Sequence, residues 1–294
     1  MLNLFKTVVL QEGSQLNLSE EEKFSVFYHD LFDFPLNLHE LIRWRISENF
    51  QVSNTRQIVH RNGYFFVEGK EGVVYKRILR KRISAKKFEI AKKASKILSL
   101  VPGILMIGIT GSLAMQNASD ESDIDLMVAT KRGRLWTTRL LSYLVAKVFG
   151  IKTRAAGDKD QKDKLCLNIW LDESDLRWNK DRNIYTAHEI AQVVPLVNKN
   201  KTYEKFLAAN KWILKFWPNA ARVRDTKILG YKGTWGKNLV SGIEYRISGF
   251  VEKLAFLIQY KYMKTKITRE TVTPTRALFH PQDWSSVILS HFSS

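Results

Sequence analysis

The chain has 294 residues, of which 45% are hydrophobic, and its 47 lysines and arginines exceed its 29 acidic residues to give a formal net charge of +18. This length and composition can build roughly two or three packed domains, and the charge favours polyanionic partners. The single cysteine, Cys166, excludes a disulfide framework. The first residues lack a secretory signal, and no apolar run is long enough for a transmembrane helix. These features together predict a cytoplasmic protein.

The first 50 residues predict short helices. Ser19 precedes three glutamates, a capping-box pattern that predicts the start of a helix, and Pro35 is expected to end it. A second helix is predicted over residues 38–46 and a third over residues 53–60.

A hairpin-type turn follows these helices. Asn62 and Gly63 lie between apolar residues, which predicts a turn leading into a strand at residues 64–67. A second strand at residues 72–75 would complete a two-stranded wing. Three helices and a wing resemble a winged helix-turn-helix domain over residues 1–80. Such domains often read DNA, but residues 1–70 are slightly acidic, so docking or RNA positioning is favoured.

A strongly basic block follows. Residues 71–100 contain ten lysines and arginines but only two acidic residues. Ala91, Ala94 and Ile97 recur at helical spacing, which predicts an amphipathic helix with one packed face. The basic residues between 76 and 96 could track RNA or another nucleic acid, while a solvated face that gives solubility explains them equally well.

Two aspartates alternate with apolar residues directly after this block. Asp123 and Asp125 flank Ile124, and on one strand both carboxylates point to one face while Ile124 points into the core. Two carboxylates on one face are ligands suited to Mg²⁺.

The residues before these aspartates predict an anion site. An apolar run over residues 104–109 leads to Thr110, Gly111 and Ser112, where a strand is expected to turn into a helix. Gly111 allows the backbone to approach a phosphate, and Ser112 adds a hydroxyl donor. The segment therefore predicts a triphosphate cradle.

Gly111 and Ser112, ten intervening residues, and Asp123-Ile124-Asp125 resemble the signature of the nucleotidyltransferase superfamily related to DNA polymerase beta. The resemblance covers about residues 104–172. It implies a small mixed sheet with helices, two Mg²⁺ ions, and transfer of a nucleoside monophosphate from an NTP to an acceptor. Asp123 and Asp125 would then be catalytic metal ligands, and Gly111 and Ser112 would bind the nucleotide.

The resemblance also implies a third carboxylate on a neighbouring strand, for which residues 165–172 are the best candidate. Strict alternation places Cys166, Asn168, Trp170 and Asp172 on one face. Asn168 occupies the slot where an acid is expected; its amide can ligate a metal or nucleotide but cannot act as a general base. Asp172 lies two residue pairs beyond Asn168 on the same predicted face, and it is the candidate third catalytic acid if the strand curves.

The chain beyond the catalytic motif predicts basic and helical elements. Four basic residues after the aspartates could reach phosphates or form the wet face of a helix: Lys131, Arg132, Arg134 and Arg139. Helices are expected over residues 182–192, 203–216 and 239–263.

These patterns predict an α/β (α+β) fold with three domains. Residues 1–80 form the winged-helix-like domain, residues 81–180 the nucleotidyltransferase domain with a basic lead-in helix, and residues 181–294 a helical domain. The expected function is Mg²⁺-dependent transfer of a nucleotide from an NTP, such as ATP, to an acceptor hydroxyl, with RNA as a candidate acceptor. Two alternatives remain: a small-molecule or protein acceptor, and a non-catalytic regulator that binds nucleotide or nucleic acid through a degenerate transferase domain.

Overall fold

A computed structural model describes residues 17–47, 56–155, 157–220, 249–265, 270–279 and 284–291. These residues form a mixed α and β structure, which confirms the predicted class. The elements are α1 (Glu20–Asp30), α2 (Leu38–Arg43), β1 (Ile58–Arg61), β2 (Tyr64–Val67), α3 (Gly72–Leu98), β3 (Ile104–Ile109), α4 (Gly111–Ala114), β4 (Ile124–Thr130), α5 (Leu135–Val148), β5 (Leu165–Asp172), α6 (Ile184–Gln192), β6 (Val194–Asn198), α7 (Thr202–Ala209), a 3-10 helix (Lys211–Lys215), α8 (Gly249–Lys264), β7 (Thr271–Thr273), β8 (Arg276–Leu278) and α9 (Trp284–Ser290). None of the helices described is long and apolar enough to cross a membrane.

The main sheet has six strands in the order β6-β3-β4-β5-β8-β7. Only β4 and β5 pair in parallel, and the other neighbours are antiparallel. Ile109 at the end of β3 pairs with Leu126 near the start of β4 and with Val194 at the start of β6. The end of β3 and the starts of β4, β5 and β6 therefore meet at one end of the sheet.

Each face of the sheet packs against its own hydrophobic core. Leu126 and Val128 of β4 face the core that contains residues of α3, α5 and α8, whereas Met127 and Ala129 face the core formed with α1, α2, α6 and α7. This alternation is the period-2 pattern of a strand buried on both sides. It places odd-numbered residues of β4, including Asp125, on the face covered by α6.

The N-terminal prediction needs two corrections. Residues 58–60, which were expected to end a third helix, lie in strand β1, and residues 56 and 57 before them are not helical. The rest of that predicted helix, residues 53–55, lies outside the described chain. Residues 72–75, expected as the second wing strand, instead begin α3. The turn at Asn62 and Gly63, both with positive φ, joins β1 to β2, so the hairpin partner of β2 precedes it.

The segment predicted as a C-terminal helical domain, residues 181–294, also contains strands among its described residues. β6 pairs with β3, and β8 pairs with β5, so segments after residue 180 extend the main sheet on both sides. The helix predicted over residues 239–263 is present as α8 from Gly249, and residues 239–248 lie outside the described chain. Short strands bounded by turns carried too little helical or β periodicity to be distinguished in the sequence.

Candidate active site

Asp123 and Asp125 lie together at the start of β4. Asp123 directly precedes the strand, Ile124 between them is fully buried, and the carboxylates share one face as their spacing predicts. One carboxylate oxygen of each aspartate and the Sγ atom of Cys166 all lie within 4.8 Å of one another. Cys166 is half-buried and lies opposite Asp125 in the pairing of β4 with β5.

Gly111 brings the turn after β3 into contact with this pair. Its φ is +59°, and a Cβ atom at this position would lie 2.7 Å from Asp125 Oδ2. The preceding residue, Thr110, donates its backbone N–H to the carbonyl of Asp125 at 3.0 Å. A glycine is therefore required both by the backbone conformation and by the closeness of the carboxylate. Ser112 is exposed in the next turn, α4, which is only four residues long.

A bulge in β5 determines how Asn168 reaches the aspartates. The register changes from Asp125 opposite Cys166 to Met127 opposite Ile169, so β5 contains one extra residue at this point. Asn168 Nδ2 donates to Asp125 Oδ1 at 2.7 Å. The Oδ1 atom of Asn168 is buried and has no hydrogen-bond partner among the described residues. Asn168 thus belongs to the site, with an acceptor atom to spare.

The same bulge removes Asp172 from the site. After it, Trp170 packs with Leu167, while Ile169 and Leu171 pack on the opposite face, which reverses the predicted alternation. Asp172 pairs with Thr130 at the far end of β4. Its Oδ2 accepts the N–H of Gly133 at 2.6 Å, so this carboxylate fixes the turn before α5. The structure thus places Asp172, the candidate third acid, at the end of β4 and β5 opposite to Asp123 and Asp125, where its carboxylate stabilises a turn.

The four basic residues that follow β4 are also distant from the aspartates in the sheet. Lys131, Arg132 and Arg134 follow the end of β4 opposite to Asp123. Arg139 is half-buried in α5, where its Nη1 donates to Gln259 Oε1 at 2.6 Å. Burial lowers the pKa of this guanidinium. The expectation that Arg139 reaches a phosphate is therefore not supported.

Arg154 is a site residue that the sequence patterns did not reveal. Its Nη1 donates to Asp123 Oδ2 at 2.7 Å and lies 4.0 Å from Cys166 Sγ. Its backbone N–H donates to the carbonyl of Leu165 at 2.8 Å, which holds the segment beside β5. An isolated arginine in a loop has no local sequence signal, because only the strand pairing brings it to the acids.

Electrostatics at the pair reflect burial and the closeness of like charges. Burial, and then the charge of Asp123, raise the pKa of Asp125 to about 7, although the hydrogen bonds from Cys166 and Asn168 oppose this shift. Burial and the two aspartates raise the pKa of the Cys166 thiol well above its usual range. Burial, and then the charge of Asp125, raise the pKa of Glu189 in α6 to about 8. Glu189 is thus a second acid near Asp125 that no motif indicated.

The loop between Gly111 and Asp123 is held by one face of α3. Lys87, whose side chain is 2% exposed, donates from Nζ to the carbonyls of Asp120 at 2.9 Å and Ser122 at 2.8 Å, and pairs with Asp163 at 2.7 Å. The α3 residues that contact this loop recur at helical spacing: Arg77, Arg80, Ser84 and Lys87. Three cations of the basic block, Arg77, Arg80 and Lys87, therefore hold the loop before Asp123 and are not part of a solvated face.

The donor set fits a divalent cation. Asp123 and Asp125 offer hard carboxylate oxygens, and Asn168 offers a buried amide oxygen that lacks a partner. A divalent cation would also offset the repulsion that raises the pKa of Asp125. The residues present therefore suit Mg²⁺ or Mn²⁺, with fewer charged ligands than a three-carboxylate site.

Comparison of this chain with models of protein families, with curated proteins and with solved structures gave no match in any of the three.

Proposed function

We propose that this protein is a Mg²⁺-dependent nucleotidyltransferase that moves a nucleoside monophosphate from an NTP to an acceptor hydroxyl. The observation that carries the proposal is the close contact between Gly111, which has no side chain, and Asp125, whose carboxylate lies beside that of Asp123. This arrangement offers a place for polyphosphate directly beside ligands for a divalent cation. No other cluster of three metal-ligating side chains is found among the residues that the structure describes.

Each residue at the site has a distinct part in this proposal. Asp123 and Asp125 hold the divalent cation, which when bound supplies charge neutralisation for the triphosphate and the leaving pyrophosphate. Asn168 fixes the orientation of Asp125 through its 2.7 Å hydrogen bond, and its buried Oδ1 has no hydrogen-bond partner among the described residues. Gly111 lets the turn after β3 approach Asp125 closely, and Ser112, which is exposed beside it, offers a hydroxyl donor to the nucleotide's phosphates. The chain's own contribution is positioning and charge, since the nucleophile in this reaction is the acceptor hydroxyl.

We propose RNA as the acceptor class. Helix α3, whose inner face holds the loop before Asp123, exposes cations on its outer face: Lys81, Arg82, Lys86 and Lys93. A cationic surface beside a transferase site can bind a phosphate backbone, and such binding weakens steeply as salt increases. A small-molecule or protein acceptor would not need these cations. Loss of RNA-directed activity in the Lys86→Gln/Lys93→Gln variant therefore supports RNA, and unchanged activity supports the other acceptors.

A non-catalytic regulator is the second candidate, and Asn168 is the observation that favours it. An amide in place of the third acid carries no negative charge, so the site holds a second cation less strongly. Such a protein would bind NTP without forming pyrophosphate. Equal NTP affinity with and without Mg²⁺, together with the absence of product, would favour this role over catalysis.

The proposal is tested by incubating the protein with labelled NTPs, RNA acceptors and Mg²⁺. We expect labelled product and pyrophosphate only when Mg²⁺ is present, and a loss of about a hundredfold or more in Asp123→Asn and Asp125→Asn. Glu121→Gln is the matched control, because this acid lies in the same loop with its side chain 82% exposed. Activity that survives both aspartate substitutions would contradict the mechanism.

A further inference from the structure

We propose that Arg154 competes with the divalent cation for Asp123 and moves to the phosphates of the nucleotide when the cation binds. This inference rests on the proposed function, because it concerns the same carboxylate pair. It assigns a positioning role to a residue outside the motif over residues 108–128.

The guanidinium of Arg154 lies where a divalent cation would have to bind. Its Nη1 atom is 2.7 Å from Asp123 Oδ2 and 4.0 Å from Cys166 Sγ, two of the three ligand atoms that cluster within 4.8 Å. A Mg²⁺ ion would contact the carboxylate oxygens at roughly 2.1 Å, on the side now occupied by the guanidinium. Two cations at this distance in a partly buried site repel strongly. Binding of the divalent ion therefore requires Arg154 to leave Asp123.

The anchoring of Arg154 allows the side chain to move without the backbone. The segment is fixed next to β5 by two backbone hydrogen bonds, from Arg154 N–H to the carbonyl of Leu165 at 2.8 Å and from Leu165 N–H to the carbonyl of Lys152 at 2.9 Å. The side chain of Arg154 is 31% exposed, whereas that of Asp123 is 11% exposed. The guanidinium thus has solvent on one side into which it can rotate, while its Cα position stays constant.

The chemistry of the guanidinium identifies its second partner. Arginine forms paired hydrogen bonds with phosphate oxygens as readily as with carboxylates. A triphosphate bound beside Gly111 and Asp125 would present such oxygens next to Asp123, the present partner of Arg154. The cation displaces Arg154 from Asp123, and the guanidinium then binds the phosphates of the nucleotide that accompanies the cation. Metal and nucleotide binding become cooperative through one side chain.

The test measures cation binding without nucleotide, using Mn²⁺ and electron paramagnetic resonance on the full chain. Arg154→Ala should bind Mn²⁺ about tenfold more tightly than the unaltered chain, because Asp123 is then free of its hydrogen bond to the guanidinium and no positive charge repels the metal ion. Arg154→Gln, which keeps a polar side chain, should tighten it in the same direction and serves if the alanine variant does not fold. In the presence of Mn²⁺, both variants should bind ATP about tenfold more weakly than the unaltered chain.

Lys162→Ala is the matched control. Lys162 is a nearby cation that pairs with Asp120 and lies 3.8 Å from Glu121, outside the carboxylate pair, so its removal should change neither affinity. Unchanged Mn²⁺ affinity in both Arg154 variants, or unchanged ATP affinity, would overturn the inference. Asp123→Asn separates this failure from that of the proposed function. If the unaltered chain binds Mn²⁺ no better than Asp123→Asn, the carboxylate pair is not a cation site and both proposals fail.

Discussion

Substitution of Gly111 by alanine should disturb both stability and cation binding. A non-glycine residue at φ +59° costs about 1–2 kcal/mol in backbone strain. The new Cβ would lie 2.7 Å from Asp125 Oδ2, an overlap that forces a shift costing about another 1–3 kcal/mol. We therefore expect the free energy of unfolding, measured by urea denaturation, to fall by about 3 kcal/mol in total. Because Asp125 must move, Mn²⁺ affinity should also fall.

Gly133 provides a matched control for the backbone part of this effect. Its φ is +63°, close to that of Gly111, but a Cβ there would meet no atom within 4 Å. Gly133→Ala should lower the free energy of unfolding by about 1–2 kcal/mol and leave Mn²⁺ affinity unchanged. Equal losses of stability in the two variants, with equal Mn²⁺ affinity, would refute the close contact between the turn and Asp125.

Three further predictions concern the polar groups around the site and in the core. Burial lowers the pKa of His29 from 6.5 to about 4, so the unfolded chain binds a proton at this residue before the folded chain does as the pH falls. The free energy of unfolding, measured by urea titration, should therefore decrease by about 3 kcal/mol between pH 6.5 and 4. His29→Gln should make this pH dependence weaker. Asn168→Asp adds a carboxylate beside Asp125, so without Mg²⁺ this variant should melt at a lower temperature than the unaltered chain. Addition of Mg²⁺ should raise the melting temperature of the variant by more than that of the unaltered chain. An equal rise in both proteins would contradict the assignment of Asn168 to the cation site. Lys87→Met should lower the free energy of unfolding by about 2 kcal/mol because it removes the hydrogen bonds from Lys87 to Asp163 and to the carbonyls of Asp120 and Ser122. Lys86→Met on the exposed face should change it by less than about 0.5 kcal/mol.

Local sequence patterns were sufficient for the features that depend on neighbouring residues. The period of a strand places Asp123 and Asp125 on one face, and a glycine after an apolar run indicates the close turn at Gly111. The capping box at Ser19 correctly marked the start of α1. These features are determined within a few residues, so a single sequence contains the information.

Features that depend on pairing across the chain could not be predicted in the same way. The bulge in β5 adds one residue opposite β4, and it moves Asp172 away from the face on which strict alternation placed it. Arg154 reaches Asp123 only because residues 152–154 lie beside Leu165. Glu189 comes near Asp125 through the packing of α6 over the sheet.

The charge of α3 illustrates a different limit. Arg77, Arg80 and Lys87 have the same residue types as the exposed cations of this helix, and composition alone assigns them all to one basic surface. The helical period would have separated them, since they recur with Ser84 on one face. The packed face predicted from Ala91 and Ala94 was nevertheless not extended to these cations, because buried cations need partners that are distant in sequence.

The most direct test of the central claim is a crystal structure of the protein with Mn²⁺ and a non-hydrolysable ATP analogue, with anomalous diffraction used to locate the metal. We predict an anomalous peak roughly 2.1–2.2 Å from carboxylate oxygens of both Asp123 and Asp125, with the triphosphate next to Gly111. The absence of such a peak, with Arg154 still bound to Asp123 and the triphosphate elsewhere or absent, would contradict the account.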